Sequence, residues 1–347
     1  MSAASQGRRR RRPKPPDGPA VVWRDGVHIA ATPIWCDAGQ TRELCFVSSA
    51  HAVSGRRHAE LVATAPTLAL LGQGRRGTRL AVPYGQPFTL GLARLELIRS
   101  GHCLGGASLM VERVDASGSG GSSGPRVLYA GAVNPDGVDL GAAAEPRGCD
   151  VLVLDGGYGH PRFVRVAPER AAQQVLGFID EVAAAGGVAY LLVTSPSKAV
   201  DVLARLSGRG QRRFLAHRSI YEAARRLRAL DPRVPEVRRY PGSAPTAGVV
   251  LWPLAQREAL GPVARPSRLA LVSGLACDPA RVAEAGVDWR VAWSNRADFE
   301  SALGYVDACG PSEVFLLGDD VAALVAALER PGRRVHRLGP ARQMALF

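Results

Sequence analysis

Short apolar runs separated by turn residues occupy the first half of the chain, and a longer helical period takes over after Pro168. Val21-Val22-Trp23, Val27-His28-Ile29 and Pro33 to Asp37 predict short strands, with turns at Asp25-Gly26 and Ala38-Gly39. Leu44 to Val47 predicts a buried strand end, followed by the loop carrying His51. Leu61 to Leu71 predicts a strand and a short helix, and Phe88 to Leu90, Ala93 to Arg99 and Leu109 to Val114 predict strands. Ser117 to Gly124 is a Gly/Ser-rich flexible loop, and Arg126 to Ala130 and Val151 to Leu154 are strands. Beyond Pro168, strands alternate with helices: Glu169 to Ala185 helix, Val188 to Val193 strand, Ser197 to Leu206 helix, Phe214 to Ala216 strand, Ser219 to Leu230 helix, Leu269 to Ser273 strand. Ala297 to Ala308 and Asp320 to Glu329 predict two closing helices around the strand Glu313 to Leu317.

With 347 residues, 46% of them hydrophobic, the chain is long enough for a full core, divided into two domains. No apolar run reaches the roughly 20 residues needed to span a bilayer. The basic N-terminus lacks an apolar h-region, so no secretory signal is read. Six scattered cysteines without a CxxC pair predict reduced core thiols and a cytoplasmic protein. The net charge of +13 changes the picture toward polyanions. Part of it is a short arm, Arg8 to Arg12 with Lys14 against Asp17, expected to be disordered over residues 1–19. The remainder is expected to be spread over the body. All basic residues but Lys14 and Lys198 are arginine, which suits phosphate contacts.

Several pieces then follow in a telling order. They are Cys36-Asp37-Ala38-Gly39, Val47-Ser48-Ser49-Ala50-His51, Gly101-His102-Cys103-Leu104-Gly105-Gly106, Tyr129-Ala130-Gly131-Ala132-Val133-Asn134, Asp155-Gly156-Gly157-Tyr158-Gly159, and Ser294-Asn295-Arg296-Ala297-Asp298. This order resembles the metallo-β-lactamase fold with a β-CASP insertion. More narrowly it is similar to the ligase-associated DNA-repair exonucleases, or mRNA 3′-end processing factor-like proteins, over about residues 20–345. The resemblance implies an α/β architecture: an αββα sandwich from residues 20–160 and 289–347, with a β-CASP-like α/β cap from 161–288 inserted between.

The same resemblance implies a binuclear metal site, and most of its ligands are replaced. Ser49, Val53 and Ser54 stand where His, Asp and His are expected, beside the retained His51. Ala132 replaces the bridging Asp, Arg296 replaces a His, and Leu317 falls where the last His belongs. His102 and Asp155 are retained, and Asp37 matches the structural acid. Catalytic zinc needs about three protein ligands with an open position. A fixed guanidinium at Arg296 repels a cation and can pair with Asp37 or Asp155. The expectation is therefore a vestigial pocket of Asp37, His51, His102, Asp155 and Arg296, without bound metal or other cofactor, in a catalytically inactive homologue. Such a chain would bind single-stranded DNA or RNA, or scaffold an assembly with a DNA ligase or helicase, the partners that the resemblance implies. The alternative is an active phosphodiesterase with a mononuclear zinc held by His51, His102 and Asp155. His58 is read as part of a surface basic turn, and Ser195 or Ser197 as a helix cap before Lys198, whose phosphate-binding potential is noted.

Overall fold

A computed structural model describes residues 19–50, 52, 58–72, 77–114, 124–210 and 212–340. Most of the basic arm, His51, Val53, Ser54 and nearly all of the Gly/Ser-rich loop lie outside the described residues. The first sheet runs in chain order: β1 Val21–Trp23, β2 Val27–Ile29, β3 Ile34–Cys36, β4 Leu44–Phe46, β5 Glu60–Ala63 and β6 Thr78–Ala81. Between β5 and β6 lies helix α1, Ala65–Leu71, capped by Thr64, whose hydroxyl accepts from Thr67 N. The second sheet contains β7 Phe88–Leu90, β8 Ala93–Arg99, β9 Ala107–Arg113, β10 Val127–Gly131 and β11 Val151–Asp155. It is completed by two strands from the far end of the chain, β18 Glu313–Leu317 and β19 Arg334–Leu338, in the order β19-β18-β11-β10-β9-β8-β7.

These two sheets share one core. Phe46, Ile29 and Ile34 of the first meet Leu97, Leu109 and Tyr129 of the second. Alternation sends the other residues of the second sheet outward: Leu128, Leu152 and Val314 pack under α7 Phe299–Cys309 and α8 Ala322–Leu328. Helix α1 covers the outer face of the first sheet through Leu68 and Leu71. The layers are helix, sheet, sheet, helix.

The third sheet is wholly parallel, in the order β14-β13-β15-β12-β16-β17. Its strands are β12 Ala189–Val193, β13 Phe214–Ala216, β14 Arg238–Arg239, β15 Val249–Pro253, β16 Arg268–Val272 and β17 Trp289–Val291. Helices α2 Pro168–Ala184, α3 Pro196–Ser207 and α4 Arg218–Arg228 cover one face. The short α5 Arg257–Leu260 and α6 Pro279–Ala285 flank the other. Burial on both faces explains the unbroken apolar runs in β12 and β15. Strand β17 belongs to this sheet, so residues 289–291, expected in the returning segment, extend the third sheet. The expected strands and long helices are present within a residue or two, and the strands β6, β14, β15, β17 and β19 and the short helices α5 and α6 stand where the apolar pattern predicts no element. No helix among the described residues is long and apolar enough to cross a membrane.

Candidate functional site

Asp37 follows β3 with φ +46°, a left-handed conformation that Asp and Asn tolerate best after glycine. That turn aims its carboxylate back at the sheet. It accepts from Ser48 N at 2.8 Å, Ser48 Oγ at 2.5 Å and the Tyr129 hydroxyl at 2.8 Å. Burial raises its pKa to about 6, against those three donors and with help from the nearby charge of Asp155. Burial likewise pushes the Tyr129 hydroxyl up, assisted by Asp37.

Asp155 closes β11. Its Oδ1 accepts from Gly157 N at 2.9 Å and its Oδ2 from Arg296 Nη1 at 2.8 Å. The double glycine has a steric cause. A Cβ on Gly157 would stand 3.0 Å from Asp155 Oδ1 and 3.3 Å from Arg296 Nη1, and one on Gly156 would stand 2.8 Å from Val321 Cγ1. The Arg296–Asp155 pair is half-buried, with side chains 37% and 22% exposed.

Asp37, Asp155 and Arg296 line one cavity of about 860 Å³ that opens between the two sheets' strand ends. Ser49, Ala132 and Leu317 line the same cavity. His102 does not. It is buried on the loop after β8, and its Nδ1 donates to the Asn295 carbonyl at 2.8 Å. The expected convergence of all five pocket residues is thus redrawn: three meet at the larger cavity, His102 faces a second one, and His51 lies outside the described residues. The cause is the Asn295 backbone, which holds the imidazole on the third-sheet side.

The second cavity, about 240 Å³, sits at the carboxyl ends of β12, β16 and β17, beside the central strand where the chain reverses its direction across the sheet. Arg296 lines both cavities. Ser195 caps α3, accepting from Lys198 N at 3.2 Å. The Lys198 ammonium donates to Asn295 Oδ1 at 2.6 Å and lies 4.6 Å from the Trp293 ring centroid. Asn295 Nδ2 donates to Asp201 Oδ2 at 2.5 Å. A neutral amide therefore bridges a buried cation and a buried acid. Burial pushes the Lys198 amine down and the Asp201 carboxyl up, each opposed by the other's charge. The second Asp201 oxygen has no hydrogen-bond partner among the described residues, which suits a protonated carboxyl.

The sequence reading noted Lys198 but missed Asn295, Asp201 and Trp293, whose contacts join segments nearly a hundred residues apart. His58 is another correction. It is buried, 3% exposed, and its Nδ1 accepts from Arg42 N, so it holds the β3–β4 connection instead of lying in a surface turn. The remaining histidines have local roles: His217 caps α4, His28 stacks on Trp35, His160 accepts from Arg162 N, and His336 stacks on Phe315 beside Glu313.

The donors among the described residues do not fit a hydrolytic metal pair. No group of three His, Cys, Asp or Glu side chains placed to hold an ion occurs among the described residues. Asp155 is engaged by a guanidinium, Asp37 by three donors, and His102 faces away.

No family model matches the chain. It is similar to a probable DNA ligase of Opitutus terrae, 25% identical over 333 residues, a match taking in 94% of the chain and 32% of that protein. The chain therefore spans about a third of that relative's length. Among solved structures it is similar to a protein of unknown function from Enterococcus faecalis, with a TM-score of 0.54 and 13% identity, over 86% of this chain and 80% of that one. This second likeness concerns the fold alone.

Proposed function

We propose that the chain is a metallo-β-lactamase-fold protein with a β-CASP-like cap whose metal site has been replaced, and that it binds nucleic acid without cleaving it. The observation that carries this reading is the 2.8 Å ion pair between Arg296 and Asp155. Residues 141 positions apart meet where the resemblance puts two metal ligands, and the guanidinium takes the carboxylate that a metal would need. Support comes from the cavity itself. Ser49, Ala132 and Leu317, the positions matched to lost ligands, line it together with Asp37 and Asp155.

Within this site the residues do three things. Ser48 and Tyr129 hold the Asp37 carboxylate against the sheet, so it is not available as a ligand. Arg296 neutralises Asp155 and remains partly exposed to the cavity. Arg337, at the same cavity wall, donates to the Asp319 carbonyl and adds a second positive group. Phosphate attraction of this sort requires no metal. The likeness to a probable DNA ligase supports a place beside DNA joining, and the family resemblance adds a ligase or helicase as the protein partner.

The test is fluorescence anisotropy of the full chain with labelled single-stranded DNA and RNA, with and without EDTA, followed by gel analysis of the recovered strand. Binding unchanged by chelation and an intact strand are expected. Shortening that depends on added zinc or manganese would return the protein to the active phosphodiesterases.

A further inference from the structure

The positive charge is not spread over the body as the sequence reading expects. Residues 1–18 hold five arginines and Lys14 against Asp17, a surplus of five. Between residues 212 and 240 stand nine arginines against Glu222, Asp231 and Glu236, a surplus of six in a chain whose net charge is +13. The rest of the body is close to neutral.

The fold gathers this segment at one edge of the third sheet. It forms β13, α4 and the edge strand β14. Helix α4 buries Ile220, Ala223, Ala224 and Leu227 against the sheet, which leaves Arg218, Arg225, Arg226 and Arg228 exposed. Strand β14 is only Arg238 and Arg239, both exposed. Charge on an edge strand guards against strand pairing, but two residues suffice for that. Arg212, Arg225 and Arg233 are paired with Asp180, Glu222 and Asp231. Arg218, Arg238 and Arg239 have no carboxylate partner among the described residues. At the carboxyl end of the same strands, half-buried Tyr240 and His217 pack edge-on around Trp252, with ring centroids 5.4 Å and 4.5 Å away. Arg218, at the start of α4, and Arg238 and Arg239 of the paired edge strand thus lie beside a rigid aromatic group, while Arg225, Arg226 and Arg228 are engaged along the helix. Backbone attraction beside a stacking surface is the pairing that single-stranded nucleic acid requires.

The geometry points to this edge, the α4–β14 face of the third sheet, as the surface that takes single-stranded nucleic acid, with phosphates on Arg218, Arg238 and Arg239 and a base against Tyr240. The inference rests on the nucleic-acid reading above and moves its main contact from the cavity to the sheet edge. Arg226 donates to the Leu70 carbonyl of α1, so the edge adjoins the junction with the first sheet.

The experiment measures affinity for a fluorescent single-stranded 20-mer against salt concentration, using the full chain. The variant R218A/R238A/R239A is expected to lose at least tenfold at low salt, and its log–log salt slope should fall by about 2, from roughly 0.7 per lost phosphate contact. Tyr240→Ala should weaken binding several-fold with the slope unchanged, the signature of lost stacking. R94A/R170A/R290A removes equal charge from exposed positions elsewhere and should bind like the parent. If the edge variant binds like the parent, the edge is not the site while the nucleic-acid reading stands. If the parent itself does not bind, both fail. If polyglutamate displaces the strand at equal charge concentration, and Tyr240→Ala has no effect, the edge fits an acidic protein and the assignment is overturned.

Discussion

The two cavities handle buried charge in opposite ways. In the larger one, Arg296 touches Asp155 directly, and the pair stays partly exposed to solvent. In the smaller one, Lys198 and Asp201 are each about 95% buried, and Asn295 hydrogen-bonds to both. A direct, half-solvated pair is electrically complete and tolerant. A buried pair joined through one neutral amide depends on that amide for both ends. The first arrangement suits the replacement of a metal site proposed above. The second fixes the approach of the third sheet to the His102 loop, because the same residue's backbone carbonyl also holds His102.

Breaking the bridge should have the largest effect. Asn295→Ala strands an ammonium and a carboxyl in the interior, and a loss on the order of 3–5 kcal/mol is expected in urea unfolding. Replacing Lys198 and Asp201 together by Met and Leu in the N295A background should restore much of it, since paired removal of buried charge is often neutral. Failure to restore stability would show that Asn295 acts through something other than the two charges.

Arg296→Met should cost less, about 1–3 kcal/mol, because Asp155 keeps some solvent and the Gly157 N–H. Adding Asp155→Asn should recover most of that loss. A strictly additive double variant would mean that the pair is not the coupled unit described here.

Asp37 separates geometry from charge. Asp37→Ala removes the acceptor for three donors and places alanine at φ +46°, so about 1–3 kcal/mol should be lost. Asp37→Asn keeps the conformation and most of the acceptor role and should stay within about 1 kcal/mol.

The smallest effect is in pH. The folded pKa of Asp37, about 6, lies above its ordinary value of 3.8, so the folded state binds the proton more tightly. Its contribution is present below about pH 4, declines as pH rises toward 6, and is lost above it. Asp37→Asn should flatten that part of the stability curve. An unchanged slope in the variant would place the titration elsewhere.

How much of this was legible beforehand differs by region. The layered elements were, because apolar period and turn residues are local: α2 through α4 and the strands β8 to β12 lie close to where the pattern predicts them. Strand β19 was not, because Arg334-Val335-His336-Arg337-Leu338 is mostly polar and gains its place only by pairing with β18. Asp37, Asp155 and Arg296 were nameable from the order of short motifs. The Lys198–Asn295–Asp201 bridge was not, since none of its residue types signals burial and its contacts span 94 to 97 positions. The basic edge was present in the composition but looked dispersed, because α4 and β14 are adjacent only once the parallel sheet has formed.

We propose that Arg296 stands in place of metal. Elemental analysis of the tag-free full chain after zinc loading and desalting tests it most directly. Well under one zinc per chain is expected, with the Arg296→His variant gaining affinity. One or two tightly held ions in the parent, released by Asp155→Asn or His51→Ala, would contradict it.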